Sequence, residues 1–261
     1  MKELSNIKAN IKLDQHFLKN RKYMDIELEA ANIQKNEVIL EIGPGPGIIT
    51  KELLNLSKKV VAVEYDWRFV VHIKETFPDV ELIKGDAVKV EFPKFDKCVS
   101  NLPYSISSPI IMKLGKLGKF AVLMLQKEFA LRLVAVPGDK NYSRLSLMAN
   151  YFFVPEYIVS VPRTAFSPKP KVESAIVRLV PRTDRPKPKD EDLFFKVAEA
   201  LFIHKNQNTK KSFYNSRHYF DMDKETAKKF VLDIPHSDKK VKTLNIENVV
   251  KIADWVYNGL K

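Results

Sequence analysis

Short apolar runs alternate with longer amphipathic stretches over roughly the first 180 residues of this chain. The runs have the length and composition of buried strands, and the stretches between them, such as residues 48–56 and 67–77, have helical spacing. Strands that alternate with helices form βαβ units in a mostly parallel sheet. The sequence therefore predicts a Rossmann-like α/β domain whose first five strands cover residues 38–42, 60–63, 81–84, 95–99 and 120–125.

The pattern changes toward the end of this region. Two further predicted strands, residues 157–161 and 174–180, have little helix between them, which indicates an antiparallel hairpin at the end of the sheet. The stretch 181–190 holds three prolines and six charged residues and is typical of an extended linker. We therefore expect a domain over residues 1–183 and a small all-helical domain over residues 184–261, with helices at 193–203, 224–232 and 246–257.

The charge balance favours a polyanionic partner. Lys and Arg number 44 against 32 Asp and Glu, which gives a formal net charge of +12. A basic surface attracts nucleic acid or an anionic membrane through its summed field. The first residues lack the apolar stretch of a signal peptide, and the single cysteine, Cys98, cannot form an internal disulfide. We expect a cytoplasmic, monomeric protein without a metal site or a membrane span.

The first predicted strand runs into the turn GPGPG, whose glycines are Gly43, Gly45 and Gly47. Glycine has no Cβ and tolerates positive φ, so a ligand can approach the backbone closely there. The second strand ends in Glu64, whose carboxylate can accept hydrogen bonds from both hydroxyls of a ribose. Asp86 follows the third strand, where it can accept from an adenine amino group. These residues predict a cofactor that contains adenosine.

A nicotinamide cofactor is the alternative for such a turn, and four residues count against it. The nicotinamide fingerprint GxGxxG requires a third glycine where this chain has Ile48. Pro44 and Pro46 also remove backbone N–H groups that a pyrophosphate would use. Glu41 adds negative charge just before the turn, which suits a sulfonium. The sequence favours a cationic cofactor without phosphate.

The fourth predicted strand runs into Asn101, Leu102, Pro103 and Tyr104. Pro103 biases Leu102 toward an extended conformation, which leaves the Leu102 carbonyl beside the Asn101 side-chain oxygen. Two such acceptors can hold an exocyclic amine, while Tyr104 offers a face to a planar base. They favour a pyramidal nitrogen and stabilise the positive charge that develops there during methyl transfer. Taken alone, the motif NLPY also fits an ordinary turn between a strand and a helix.

These segments together resemble the ribosomal RNA small-subunit adenine dimethyltransferase family. The ordered set spans residues 15–172 and comprises QHFL, EIGPGPGIIT, VEYD, GDA, NLPYSISSPI and FSPKPKV. The resemblance implies a class I methyltransferase domain followed by a helical C-terminal domain that positions RNA. It implies that S-adenosylmethionine donates methyl groups to the N6 amines of two adjacent adenosines near the 3′ end of small-subunit ribosomal RNA, during ribosome biogenesis.

The resemblance also assigns roles by position. The residues it implies for cofactor binding are Gln15, His16, Leu18, Gly43, Gly45, Glu64, Asp86 and Asn101. Those it implies for catalysis are Asn101 and Leu102 at the target amine, with Tyr104 and Phe166 against the two faces of the base. From the sequence alone, Phe166 would be a core aromatic residue and His16 a structural one. No metal ligand is implied.

Two basic segments are candidates for contacts with RNA phosphates. Residues 163–189 contain eight Lys and Arg against two acids, and residues 200–217 contain four Lys and Arg and no acid. Such contacts supply much of the affinity of a protein for nucleic acid. For either segment alone, a merely solvated charged face is an equally good interpretation.

Three rival functions remain open on the sequence. Macrolide-resistance methylases share this fold and modify an adenine of the large subunit, but they tend to have NIPY where this chain has NLPY. A non-catalytic nucleic-acid-binding relative would not need Glu64, Asp86, Asn101 and Tyr104 together. A nicotinamide-dependent oxidoreductase is the most remote of the three.

Overall fold

The computed structural model describes residue 7, residues 9–10 and residues 13–260. In this part of the chain the strands are β1 (Phe17–Leu18), β2 (Val38–Ile42), β3 (Lys59–Glu64), β4 (Glu81–Lys84), β5 (Lys97–Asn101), β6 (Phe120–Gln126), β7 (Phe153–Val161), β8 (Phe166–Ser167) and β9 (Ser174–Pro181). The α-helices are α1 (Arg21–Ala31), α2 (Ile48–Leu56), α3 (Trp67–Thr76), α4 (Ser107–Lys116), α5 (Lys127–Leu133), α6 (Arg144–Phe152), α7 (Glu191–Ile203), α8 (Thr209–Asn215), α9 (Lys224–Phe230) and α10 (Ile246–Gly259).

Seven of the strands form one twisted sheet in the order β4-β3-β2-β5-β6-β9-β7. The first five are parallel, whereas β9 pairs antiparallel with both β6 and β7. This arrangement confirms the predicted Rossmann-like sheet with a terminal antiparallel hairpin. The direction of strand succession reverses at β2, which lies between β3 and β5. Ligands of open α/β sheets bind at such a switch point, beyond the carboxyl ends of the strands.

Most strand bounds differ from the predicted ones by a few residues, and two differences have a clear cause. The fourth strand begins at Lys97 rather than residue 95 and extends to Asn101, because Asn101 still pairs with Met124 of β6. The strand predicted at 157–161 begins at Phe153 and includes Pro155. Proline is tolerated there because β7 lies at the edge of the sheet, where one side of the strand needs no hydrogen bonds.

The chain divides into two compact units, which we call the sheet unit and the helical unit. The sheet unit comprises the residues up to Leu131 together with Phe153–Pro181, and the helical unit comprises Arg132–Phe152 together with Arg182–Lys261. The all-helical character predicted for the C-terminal part of the chain is confirmed. None of the helices in the described part of the chain is long and apolar enough to cross a membrane.

Within the helical unit, α6 packs against α7 and α10. Tyr151 of α6 lies 4.7 Å from the ring of Phe194 on α7, and its hydroxyl donates to Glu191 at 2.8 Å. These contacts place the segment Arg132–Phe152 in the helical unit although it precedes β7 and β9 in the chain. The helix predicted at 224–232 ends at Phe230 and continues as a 3₁₀ turn over Val231–Asp233.

Candidate active site

The carboxyl ends of β2, β3 and β5 line a cavity of about 300 Å³ in the sheet unit. A cavity of this size lies within the range that holds small ligands. The eleven residues that the sequence predicts for the site all line it: Gln15, His16, Leu18, Gly43, Gly45, Glu64, Asp86, Asn101, Leu102, Tyr104 and Phe166. The structure therefore brings the predicted set together at the switch point of the sheet, and the role of each residue stays a prediction.

The glycine-rich turn begins directly after β2. All three glycines have positive φ, with values of 70° at Gly43, 53° at Gly45 and 82° at Gly47. A Cβ on Gly45 would lie 3.0 Å from the Phe17 ring, so the turn also packs tightly against β1. The sequence chooses glycine here because other residues are strained at these angles. At Gly43 and Gly45 the backbone therefore faces the cavity without a side chain.

Glu64 is buried at the end of β3, and its carboxylate is held by two backbone amides. The Gly45 amide donates to Oε2 at 3.1 Å, and the Asp66 amide donates to Oε1 at 2.8 Å. Burial raises the pKa of Glu64, while these amides act in the opposite direction. Each carboxylate oxygen can accept more than one hydrogen bond. Glu64 therefore remains able to accept from two vicinal hydroxyls of a ligand.

Asp86 stands at the end of β4 in a tight turn. Its Oδ1 accepts a hydrogen bond from the Val88 amide at 2.9 Å, and Lys89 lies 3.8 Å from Oδ2. On the next helix along the chain, Lys113 donates to the backbone carbonyl of Ala87 at 3.0 Å. These contacts fix the turn, and they leave acceptor capacity on the Asp86 carboxylate toward the cavity it lines.

The N-terminal segment lies across the cavity through the short pairing of β1 with β8. Leu18 pairs with Phe166, and both side chains are almost completely buried. The Gln15 amide nitrogen donates to Asp66 Oδ2 at 2.8 Å, and His16 Nδ1 lies 2.9 Å from the carbonyl oxygen of Pro168. The QHFL segment is therefore attached to the rest of the sheet unit at both ends, where it forms one wall of the cavity.

Asn101 ends β5 and Tyr104 follows it, and both residues line the cavity. The Tyr104 hydroxyl lies 2.6 Å from the Ser174 hydroxyl, and burial raises the pKa of Tyr104. The ring of His16 stacks on Tyr104 with an interplanar angle of 28° and 6.4 Å between ring centroids. The hydrogen bonds of the Asn101 amide are satisfied when its nitrogen, and not its oxygen, faces the buried carboxyl of Glu27. The Asn101 oxygen then faces away from Glu27.

The described residues that line the cavity are rich in carboxyl groups. Five of them are acidic, and none is Lys or Arg: the acids are Asp14, Glu41, Glu64, Asp66 and Asp86. Burial raises the pKa of Glu41 to about 8, with a hydrogen bond from Thr50 acting in the opposite direction and Glu64 adding a further increase. Such a lining suits a ligand with positive charge and disfavours one with phosphate groups.

Comparison with known proteins agrees with this geometry. The family model described as ribosomal RNA adenine dimethylase matches residues 6–257. The chain belongs to the ribosomal RNA adenine dimethylase family. Its curated relatives include a protein of Thermococcus sibiricus described as a probable ribosomal RNA small subunit methyltransferase A, which is 43% identical over 97% of this chain and 94% of its own length.

Two solved structures extend the comparison. A dimethyladenosine transferase from Plasmodium falciparum is 33% identical, with a TM-score of 0.77, and the match covers 94% of this chain and 98% of that protein. The 23S rRNA methyltransferase ErmE is 26% identical, with a TM-score of 0.67, and the match covers 92% and 99%. Both comparisons confirm the predicted fold, and the protein is an adenine dimethylase by family.

Sequence reasoning missed several residues that shape the site of this adenine dimethylase. Asp14 accepts a hydrogen bond from the Ser105 amide at 3.0 Å, and Asp66 holds Gln15 and Arg68. Asp66 belongs to the motif VEYD, so its place after β3 was a usable signal. Asp14, which lines the cavity, and Glu27, which is buried behind Asn101, carry no motif, and only the folded chain brings them to the site.

Proposed function

We propose that this protein uses S-adenosylmethionine to dimethylate the N6 amines of two adjacent adenosines near the 3′ end of small-subunit ribosomal RNA. One observation carries the proposal: the acceptors for a cofactor, Glu64 and Asp86, line the same cavity as Asn101 and Tyr104, the residues for a target base. Membership of the adenine dimethylase family supports the reaction, and the description of the Thermococcus relative supports the small subunit.

The residues present fit S-adenosylmethionine. Glu64 would hold the ribose hydroxyls, Asp86 would bind the adenine amine, and the glycine turn with Gly43 and Gly45 would lie along the ligand. Gln15, His16 and Leu18 would contact the methionine end. The acidic lining without Lys or Arg supports a sulfonium over a pyrophosphate. The neighbouring acids would also favour release of the cofactor after transfer, since the product S-adenosylhomocysteine lacks the positive charge.

S-adenosylmethionine supplies an electrophilic methyl group when bound. The chain's own part is to hold the target amine with two acceptors, the Asn101 Oδ1 atom and the Leu102 carbonyl. These acceptors align the nitrogen lone pair and stabilise the positive charge that develops on nitrogen. Because the amine loses its proton from a cationic product, a strongly basic side chain is not required. After the first transfer the monomethylated amine keeps one N–H, which one of the two acceptors can still hold for a second transfer.

The target base must leave its stack to reach Asn101. Tyr104 and Phe166 would offset that cost by contacting the two faces of the base. Phe166 is only 5% exposed and pairs with Leu18 of β1, so stacking on the base would require the N-terminal segment to move. Near Phe166 the exposed cations Arg163, Lys169 and Lys171 would contact phosphates of the same RNA strand.

We propose that residues 1–183, apart from the segment Arg132–Phe152 that belongs to the helical unit, form the catalytic domain and that residues 184–261 position the RNA. In the helical unit, the segment 200–217 includes α8 with Lys210 and Lys211 at its start. The absence of acids from this segment supports a phosphate-binding surface. The partner is ribosomal RNA in a small subunit or its assembly precursor, and we expect a cytoplasmic monomer.

The test is methyl transfer from labelled S-adenosylmethionine to unmodified small ribosomal subunits, with large subunits as the parallel substrate. The proposal expects label only in small-subunit RNA, released as dimethyladenosine on digestion. Label in large-subunit RNA would instead support the activity named for ErmE. If neither subunit is labelled although the protein binds S-adenosylmethionine, the chain would be a binding relative without this activity.

A further inference from the structure

A carboxyl group lies buried next to Asn101, on a helix that does not line the cavity. Glu27 of α1 is completely inaccessible to solvent, and it shares the buried face of the helix with Met24, Leu28 and Ala31. Residues spaced three and four positions apart lie on one helix face. Glu27 therefore interrupts the apolar stripe with which α1 packs against β5 and β6. Burying a carboxyl in such a stripe is unfavourable unless it has a hydrogen-bond partner.

The partner of Glu27 in the described part of the chain is the side-chain amide of Asn101. With the Asn101 amide assigned so that its nitrogen faces Glu27, this nitrogen lies 3.1 Å from both carboxyl oxygens of Glu27, which is hydrogen-bonding distance. In the opposite orientation the amide oxygen would face the two acceptor oxygens of an ionised Glu27. A carboxylate at this position therefore selects one of the two orientations of the Asn101 amide.

We propose that Glu27 is a positioning residue for the methyl transfer: its carboxylate holds the Asn101 amide nitrogen, so that Asn101 Oδ1 faces the target amine. This inference rests on the function proposed for Asn101. If the amide turned round, Asn101 would present N–H donors to an amine that also donates, and the acceptor needed in the transition state would be missing. A hydrogen bond from the amide nitrogen to a carboxylate also polarises the amide and strengthens its oxygen as an acceptor.

The electrostatic surroundings show that this arrangement is unfavourable for stability alone. Burial raises the pKa of Glu27 well above its usual range, and the negative charge of Glu41 raises it further, whereas hydrogen bonds from the Asn101 nitrogen act in the opposite direction and favour the carboxylate. A methionine at the same position would fill a similar volume and continue the apolar stripe. Replacing buried charged groups by apolar residues of similar size is often neutral or stabilising. A positioning role and a structural role therefore predict opposite results for one substitution.

The decisive variant is Glu27→Met, compared with Glu29→Met on the exposed face of the same helix. We expect Glu27→Met to lower kcat about 10- to 100-fold, because the acceptor is no longer held in place. KM for the RNA and Kd for S-adenosylmethionine should change less than about twofold, and Tm should rise or stay level. The Glu29→Met control removes the same charge and should keep the kcat of the natural protein. A Glu27→Met variant with unchanged kcat would overturn the proposal.

Glu27→Gln provides a second variant that keeps an acceptor in the same place. Its amide oxygen can still accept from the Asn101 nitrogen, although a neutral group selects the orientation less strongly. We expect its kcat to lie between those of the natural protein and Glu27→Met. If Glu27→Met fails to fold, a Glu27→Gln variant with kcat equal to that of the natural protein, together with unchanged amide resonances of Asn101, contradicts the proposal.

A spectroscopic measurement separates this inference from the proposed function. The side-chain amide resonances of Asn101, identified by their disappearance in Asn101→Ala, can be followed in ¹⁵N-labelled protein without substrate. A hydrogen bond to a carboxylate should shift these protons downfield in the natural protein, and Glu27→Met should abolish the shift. Identical resonances in the two proteins would overturn the positioning role. Failure of methyl transfer by the natural protein, with the shift present, would instead count against the proposed function alone.

Discussion

Glu41 is the residue whose chemistry the acidic cavity changes in the most measurable way. It lines the cavity at the end of β2, and burial raises its pKa to about 8. A bound cation favours the ionised form of a neighbouring carboxyl, so the pKa of Glu41 must fall when a sulfonium binds. Binding is then coupled to proton release below pH 8, and the affinity for the cation should increase with pH in that range.

We therefore predict that the ratio of the affinities for S-adenosylmethionine and S-adenosylhomocysteine rises between pH 6 and pH 8 and levels off above. The increase should be at most about tenfold per pH unit, since one proton is released. The two ligands differ only in the methyl group and charge at sulfur. Titrating groups that affect both affinities equally therefore cancel in the ratio of the two affinities. Calorimetric Kd values across this range check the prediction, and Glu41→Gln should flatten the ratio. A ratio independent of pH in the natural protein would show that Glu41 does not face the sulfonium.

Asn101 carries the largest predicted effect of any single substitution. Removing its side chain takes away one of the two acceptors proposed for the target amine, which should lower kcat about 100- to 1,000-fold. Kd for S-adenosylmethionine should change little, because Glu64 and Asp86 hold the adenosine. Single-turnover methyl transfer and calorimetry on Asn101→Ala measure the two effects separately, with the exposed Asn55→Ala as the matched control. Equal loss of both properties would assign Asn101 to cofactor binding instead.

The sequence predicts the site residues that follow strands much better than those that approach from elsewhere. Glu64, Asp86 and Asn101 could be predicted because parallel strands bring their carboxyl ends to one edge of the sheet. The contact of Glu27 with Asn101 could not be predicted, because it depends on which face of α1 is buried and on the residue that this face packs against. From its position in the sequence, Glu27 resembles any solvent-exposed acid of a helix. Its pairing with Asn101 is a property of tertiary packing.

Among the secondary-structure elements, the glycine turn between β2 and α2 has the strictest steric requirement. A Cβ on Gly47 would lie 2.2 Å from Cε2 of Phe77, and Gly47 also has a φ of 82°. Gly118 has a φ of 61° with no atom within 4 Å of its hypothetical Cβ. Comparing substitutions at Gly47 and Gly118 therefore separates the free-energy cost of positive φ from the free-energy cost of a steric clash.

We predict that Gly47→Ala destabilises the protein more than Gly118→Ala does. Positive φ costs an alanine about 1–2 kcal/mol at either position, and overpacking adds about 1–3 kcal/mol at Gly47. Gly47→Ala should therefore lower Tm by several degrees more than Gly118→Ala, since about 1 kcal/mol corresponds to roughly 2–4 °C for a chain of this size. Thermal unfolding of the two variants makes the comparison. Equal shifts would mean that Phe77 moves aside without cost.

Element type is predicted more securely from the sequence than element length. The predicted bounds of β2, β4 and α2 agree with the structure, because turn residues or glycines flank these segments. The beginning of β7 differs, since Pro155 argues against a strand unless its edge position is known. Apolar spacing alone does not predict α1, because Glu27 stands in the middle of its buried face.

For the whole molecule, affinity for RNA should depend on the basic segment of the helical unit. We predict that reversing the charges of Lys210 and Lys211 weakens RNA binding and also reduces its dependence on salt concentration. Each RNA phosphate that the protein no longer neutralises lowers the slope of log K against log salt by about one. Charge reversal of Lys228 and Lys229 in α9 serves as the control, because it changes the net charge by the same amount in a segment that also contains acidic residues. Equal effects of the two pairs would indicate general electrostatics rather than a specific surface.

The central claim is that this chain dimethylates small-subunit RNA at adjacent adenosines, with Asn101 holding the target amine. The most direct measurement is mass spectrometric mapping of methylated adenosines in unmodified small subunits after reaction with the natural protein or with Asn101→Ala. We predict two adjacent dimethyladenosines near the 3′ end with the natural protein and almost none with Asn101→Ala. Methylation confined to large-subunit RNA, or equal modification by both proteins, would contradict the claim.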